Sequence, residues 1–220
     1  MTHSVSLDAL AARARGLAPV AGRRILGITG PPGAGKSTLA ERLLARLRTA
    51  PPAGLGADGV GHVPMDGFHL ADAQLDRRGL RDRKGAPTTF DVDGYVATLE
   101  RLVRQRDRAI FVPAFERDVE QPIAAALAVG AAVRLVVTEG NYLLLTDGGW
   151  ERVRPLLAEV WYVDADPDLR VRRLVARHER FGKSPRAARE WVARSDEPNA
   201  RLVAGTRSAA DLVVDVADVG

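Results

Sequence analysis

The chain has 220 residues, 46% hydrophobic and 27% charged, ordinary values for a soluble protein of one α/β domain with a small appendage. It contains no cysteine, which excludes disulfides and thiolate metal sites and fits a reducing, cytoplasmic compartment. Its net charge of +4 is small beside 32 basic and 28 acidic residues; with no dense basic arm or aromatic RNA-binding signature, a nucleic-acid partner is not expected.

Along the chain, Arg13 and Arg15 interrupt the first apolar stretch, so it does not read as a signal peptide. The longest apolar run, residues 122–133, stops at Arg134, well short of the roughly 18 residues of a membrane span. Strands are predicted at 24–28, 62–65, 109–112, 134–138, 160–163 and 211–216, with helical spacing between most of them, as in TLAERLLARL (38–47) and YVATLERLVRQ (95–105). A Pro/Gly-rich connection occupies 49–61. Strands alternating with helices predict a doubly wound, mostly parallel α/β sheet, whose ligand site lies beyond the carboxyl ends of the strands.

The first strand runs into GPPGAGKS, residues 30–37, and then a helix. This is the complete phosphate loop of a P-loop NTPase, G-x-x-x-x-G-K-[ST], in the strand–helix context its mechanism needs. The loop of Gly30, Pro31, Pro32, Gly33, Ala34, Gly35, Lys36, Ser37 and Thr38 is expected to cradle ATP, its glycines letting backbone N–H groups turn toward phosphate oxygens. Lys36 meets the β- and γ-phosphates, and the Ser37 hydroxyl ligates Mg²⁺. The second strand stops at Asp66, in MDGFH. At that edge a carboxylate can take the proton of an attacking hydroxyl, with Gly67 keeping the approach open, Phe68 as a wall and His69 as a polar contact or a packed histidine.

The strand RLVVT delivers Glu139, a Walker-B-like acid for Mg²⁺, followed by Gly140, which leaves room, and by Asn141 and Tyr142, which could face the acceptor. Asp166 and Pro167 read as an N-cap and first helical residue. The helix they open carries Arg170, Arg173 and Arg177 as one stripe, either a solvated face or a lid that neutralises the migrating phosphoryl group. A stop near Gly182 and a restart at Ser184-Pro185 make residues 170–190 a helical hairpin lid within one domain spanning 1–220. Only three lysines remain, Lys36, Lys84 and Lys183, each in a Gly/Pro-flanked, loop-like segment.

These segments, together with TFDVDGY, PAFERDVEQP and TRSAADLVV, resemble the phosphoribulokinase/uridine kinase branch of P-loop kinases, which includes uridine–cytidine and bacterial pantothenate kinases. The resemblance implies Asp66 as the acceptor-activating acid, Glu139 as the magnesium-linked acid, and Arg170 and Arg173 as lid arginines on the triphosphate. It places Phe90, Phe115, Arg117 and Asn199 toward the acceptor, with Trp191 and Asn199 closest to the pantothenate kinase pattern. The chain departs from the uridine-kinase Asp-Ser-Phe-Tyr motif at Asp66-Gly67-Phe68-His69, and PAFERD departs from the segment that reads pyrimidine. The expected activity is ATP-dependent phosphorylation of a small metabolite's hydroxyl. A nucleoside comes first, and pantothenate or a sugar is the alternative. A nucleotide-hydrolysing switch is disfavoured by the absence of N-K-x-D and L-S-G-G-Q motifs. A homodimer is compatible with this reading.

Overall fold

The computed structural model describes residues 5–215. Five parallel strands form the main sheet in the order β2–β5–β1–β6–β7, with β1 at Arg24–Thr29, β2 at Val60–Pro64, β5 at Leu135–Glu139, β6 at Glu159–Asp164 and β7 at Leu212–Asp215. Residue 216 of the last predicted strand lies outside the described residues. The central strands β1 and β5 read RILGIT and LVVTE, and all of β5 is buried, as expected of strands covered on both faces.

Alternate side chains of these strands enter two separate cores. Leu26, Ile28, Leu135 and Val137 pack under α1 (Leu7–Leu17) and α2 (Lys36–Thr49) with Leu39, Leu43 and Leu47. Ile25 and Val136 face the other way, toward the aromatic core of Tyr95, Tyr142 and Trp150. The remaining helices are α3 (Asp72–Arg77), α4 (Val92–Arg104), α5 (Pro167–Arg180), α6 (Pro185–Trp191) and α7 (Glu197–Ala204). As the sequence predicts, the Asp166 carboxylate caps α5 by accepting from the Leu169 N–H at 2.8 Å, Pro167 is its first residue, and Ser184 caps α6. A π-helical turn, Val192–Asp196, joins α6 to α7.

The strand predicted at 109–112 is not part of the parallel sheet. It is β3 (Ile110–Glu116), paired antiparallel with β4 (Gln121–Val129) as a separate two-stranded hairpin. Only residues 130–134 separate β4 from β5, too few for the crossover that a parallel neighbour requires. β4 itself escapes prediction because its run of alanines carries no alternating pattern.

At the amino-terminal edge of the sheet, Arg23 is buried and donates to four carbonyls, those of Val133, Leu102, Gln105 and Gly130, at 2.9–3.2 Å. Truncation would leave those acceptors without their donor in a dry setting. Arg23→Ala is expected to cost about 2–4 kcal/mol in chemical denaturation; a loss below about 0.5 kcal/mol would contradict this role.

Candidate active site

Strand register sets the geometry. Glu139 lies level with Ile28 on one side and Pro64 on the other. Two residues past that row the chains reach Gly30, where the phosphate loop begins, and Asp66, in the 3₁₀ turn Met65–Phe68. The loop, Asp66 and Glu139 therefore share one carboxyl edge. A cavity of about 560 Å³ opens there, and its lining includes Pro32, Gly33, Lys36, Ser37, Asp66 and Glu139.

Gly35 caps α2 in the left-handed conformation, φ 97°, which turns the chain directly into the helix that starts with Lys36. The Lys36 side chain is buried and donates to the Pro31 carbonyl at 3.1 Å. Burial pushes its ammonium pKa down, and Glu139 and Asp66 oppose that shift. Glu139 is buried as well. Loss of solvent and the neighbouring Asp66 charge push its pKa up, against the pull of Lys36 and a hydrogen bond from Ser37. A hydroxyl and a carboxylate held together are hard oxygen donors of the kind that bind Mg²⁺ with phosphate oxygens completing the shell. Ser37 and Glu139 could therefore hold Mg²⁺ that arrives with nucleotide.

Both glycines beside the acids have a steric purpose different from the one the sequence suggested. A Cβ on Gly67 would lie 2.4 Å from the Pro113 carbonyl oxygen, so the space serves the passage of β3. A Cβ on Gly140 would lie 2.4 Å from the Met65 Cβ. Close packing of β3 and β5 against the Met65–Phe68 turn thus fixes Asp66. Arg117, delivered by the same hairpin, sits with Nη2 3.5 Å from the Asp66 carboxylate.

Part of the cavity wall is aromatic. His69 packs between Phe90 and Phe115 in tilted contacts, with ring centroids 4.0 and 4.9 Å away. Its Nδ1 lies 2.8 Å from the Asp66 carbonyl oxygen, which can only accept, so Nδ1 carries the proton and Nε2 is left as an acceptor. Burial pushes the imidazole pKa down. Asn141 and Asn199 also line the cavity, and the Asn199 amide donates to the Gly85 carbonyl at 3.3 Å. Tyr142 does not line it; it is fully buried and its hydroxyl donates to the same Gly85 carbonyl. Its place is structural.

The arginine stripe divides. Arg177 lines the cavity, and the charges around it include Arg117, Asp196, Asp66 and Glu120. Arg173 is exposed and outside the lining. Arg170 is buried, donating to the Pro32 carbonyl at 3.0 Å and pairing with Glu197 at 3.1 Å. The drift of about 20° over seven helical residues is small; what separates Arg170 from Arg177 is its position one turn inside α5, directly behind the phosphate loop.

The sequence puts Lys183 at the tip of the helical hairpin but gives no role to other lining residues, among them Lys84, His178 and Arg194. The signal was present: all three lysines of the chain line this one cavity. Lys84 bonds Asp72 at 2.7 Å and the Glu120 carbonyl, tying the hairpin tip to α3.

The sequence matches the profile of the phosphoribulokinase/uridine kinase family over residues 25–219. The chain belongs to that family. Its relatives include the "Uncharacterized protein YggC" of Escherichia coli, 33% identical over 200 residues, covering 90% of this chain and 80% of the relative. The "Putative uridine kinase C227.14" of Schizosaccharomyces pombe is 32% identical over 177 residues, covering 79% and 74%. A solved structure titled "putative fructose transport system kinase", from Silicibacter sp. TM1040, superposes with a TM-score of 0.82 at 36% identity, covering 93% of this chain and 98% of that one. This kinase is thus a P-loop phosphotransferase with a hydroxyl acceptor, and no helix among its described residues is long and apolar enough to cross a membrane.

Gly67→Ala places a methyl group against backbone that cannot rotate away. It is expected to cost about 1–3 kcal/mol by overpacking, lowering the melting temperature and displacing Asp66 relative to Arg117. An unchanged melting temperature and unchanged turnover would show that β3 does not hold the turn.

Proposed function

We infer that this kinase transfers the γ-phosphoryl group of ATP to a hydroxyl of a small metabolite, with a nucleoside as the first acceptor class. One observation carries the reading: Lys36, Asp66 and Glu139 surround one cavity at one edge of the sheet. The acceptor hydroxyl gives its proton to Asp66 as its oxygen attacks the γ-phosphorus. The bond from that phosphorus to the β–γ bridging oxygen breaks, and ADP leaves. Lys36 and Arg177 stabilise the charge spread over the phosphoryl oxygens in a loose transition state. Ser37 and Glu139 would hold Mg²⁺, which would supply positive charge to offset that of the phosphate groups. Arg170 acts as a positioning residue that holds the phosphate loop through Pro32, and α5–α6 serve as the lid. Cysteine-free composition supports a cytoplasmic setting.

For the acceptor, Phe90, His69 and Phe115 line the cavity as an aromatic wall against which a base or a sugar ring can pack. The unprotonated Nε2 of His69 takes a donor, such as a second hydroxyl. Pantothenate and sugars remain the second reading, supported by Asn199 beside Gly85 and by the printed name of the Silicibacter relative.

Asp66→Asn should leave ATP affinity within about threefold while phosphotransfer, measured by ADP release over a panel of nucleosides, pantothenate and sugars, falls about 10²–10⁴-fold. Full transfer activity in this variant would remove Asp66 from the role of base. Glu139→Gln should weaken nucleotide binding about tenfold or more in Mg²⁺ but not in EDTA, because the lost carboxylate repels metal-free triphosphate. Equal losses in both conditions would contradict the metal assignment.

A further inference from the structure

Helix α7 stands between two loops that line the cavity, one through Pro32 and the other through Gly85. At its first residue the Glu197 carboxylate accepts from Arg170 at 3.1 Å, and the same guanidinium donates to the Pro32 carbonyl at 3.0 Å. Two residues on, the buried Asn199 amide donates to the Gly85 carbonyl at 3.3 Å. Residues two apart on a helix do not share a face. Glu197 is thus turned to the back of the phosphate loop and Asn199 to the segment at 81–89.

That segment leads into the aromatic wall. The Gly85 N–H donates to the Thr89 hydroxyl at 3.0 Å, the Thr89 carbonyl accepts from the Leu70 N–H at 2.9 Å, and Phe90 follows against His69. The Gly85 carbonyl also accepts from the Tyr142 hydroxyl, so both of its lone pairs are used. The two donors differ in kind. Tyr142 is fixed in the core, whereas α7 continues the proposed lid through the π-helical turn Val192–Asp196. The start of α7 is moored to α5 twice, by Glu197 on Arg170 and by Asp196 on His178 at 2.8 Å. A shift of α5 against the phosphate loop therefore reaches Gly85 through Asn199.

We propose that Glu197 and Asn199 are positioning residues that carry the occupancy of the phosphate loop to segment 81–89. A triphosphate that fixes Pro32 and Arg170 holds α7 in place, and α7 then orders the segment beside the aromatic wall. The inference rests on the nucleotide half of the kinase reading and not on the identity of the acceptor. A ligand shifts an equilibrium only through the difference in its interactions with the two states. Here those states are α7 docked on both loops and α7 released from both. The helix has eight residues, about 12 Å of length, and moves as one body, so its bonds at the two loops are made and lost together.

Hydrogen exchange of the full-length protein, read by mass spectrometry with and without saturating Mg²⁺ and AMP-PNP, tests this. Calorimetry checks saturation for each variant. The reporters are the amides of Arg83, Gly85, Ala86 and Thr89, whose hydrogen bonds close within residues 80–89. Nucleotide should slow their exchange about threefold or more. Glu197→Ala and Asn199→Ala, at the two ends of the link, should each remove that slowing. Arg201→Ala, exposed on the same helix, should keep it. A residue that only stabilised the fold would raise exchange equally in free and bound protein and leave the difference intact. Should Glu197→Ala leave the buried Arg170 unpaired and fail to fold, Asn199→Ala decides alone. Slowing that survives in a folded Glu197→Ala or Asn199→Ala protein, slowing lost in Arg201→Ala, or no slowing in the unsubstituted protein with nucleotide bound would each overturn the inference and leave the kinase reading standing. AMP-PNP that does not bind the unsubstituted protein would overturn both.

Discussion

The site is arranged around two opposite charges buried at one edge of the sheet, one opening α2 and one ending β5. Lys36 and Glu139 lie where water is nearly excluded, and each opposes the shift that burial imposes on the other. Such a pair is poor value as a source of stability, because desolvation offsets most of its attraction. Its worth lies in chemistry. On the proposed function, a site that already holds a cation for phosphate oxygens and an acid for Mg²⁺ need not reorganise when charge develops during transfer.

Backbone packing makes that arrangement durable. Gly67 admits the Pro113 carbonyl, Gly140 admits Met65, and Arg170 bonds the phosphate loop from behind. Side chains such as Asp66 and Arg117 project from segments that cannot slide without steric overlap. The outer parts of the cavity are held differently, by ion pairs such as Arg81 with Asp72 and by cation–π contacts that are partly exposed and individually weak. On the proposed function, a rigid donor edge with a more yielding acceptor wall would suit a hairpin that admits and releases a metabolite.

The parallel sheet, the phosphate loop and the two strand-end acids were legible because each is written in contiguous residues: buried strands as short apolar runs, the loop as a fixed spacing, the α5 and α6 starts as Asp-Pro and Ser-Pro. The β3–β4 hairpin was not, since β4 carries a run of three alanines and is exposed on both faces over Ile123–Ala126, which erases the period-two signal. Arg170 and Arg177 share a stripe in sequence yet not a task, because what they touch depends on how α5 meets the phosphate loop and the hairpin. Tyr142 likewise lies next to a lining residue but points its hydroxyl at Gly85. Composition held one clue that spacing lacked: in a chain that favours arginine, the three lysines all gather at one cavity.

The most direct test of the common edge is a crystal structure of the complex with Mg²⁺ and a non-hydrolysable ATP analogue. The triphosphate should occupy the loop at residues 30–38, the metal should stand about 2.1 Å from the Ser37 hydroxyl with Glu139 in its inner or outer sphere, and the Asp66 carboxylate should face the γ-phosphate across a gap that one hydroxyl fills. A γ-phosphate turned away from Asp66, or a metal held without either Ser37 or Glu139, would contradict the account.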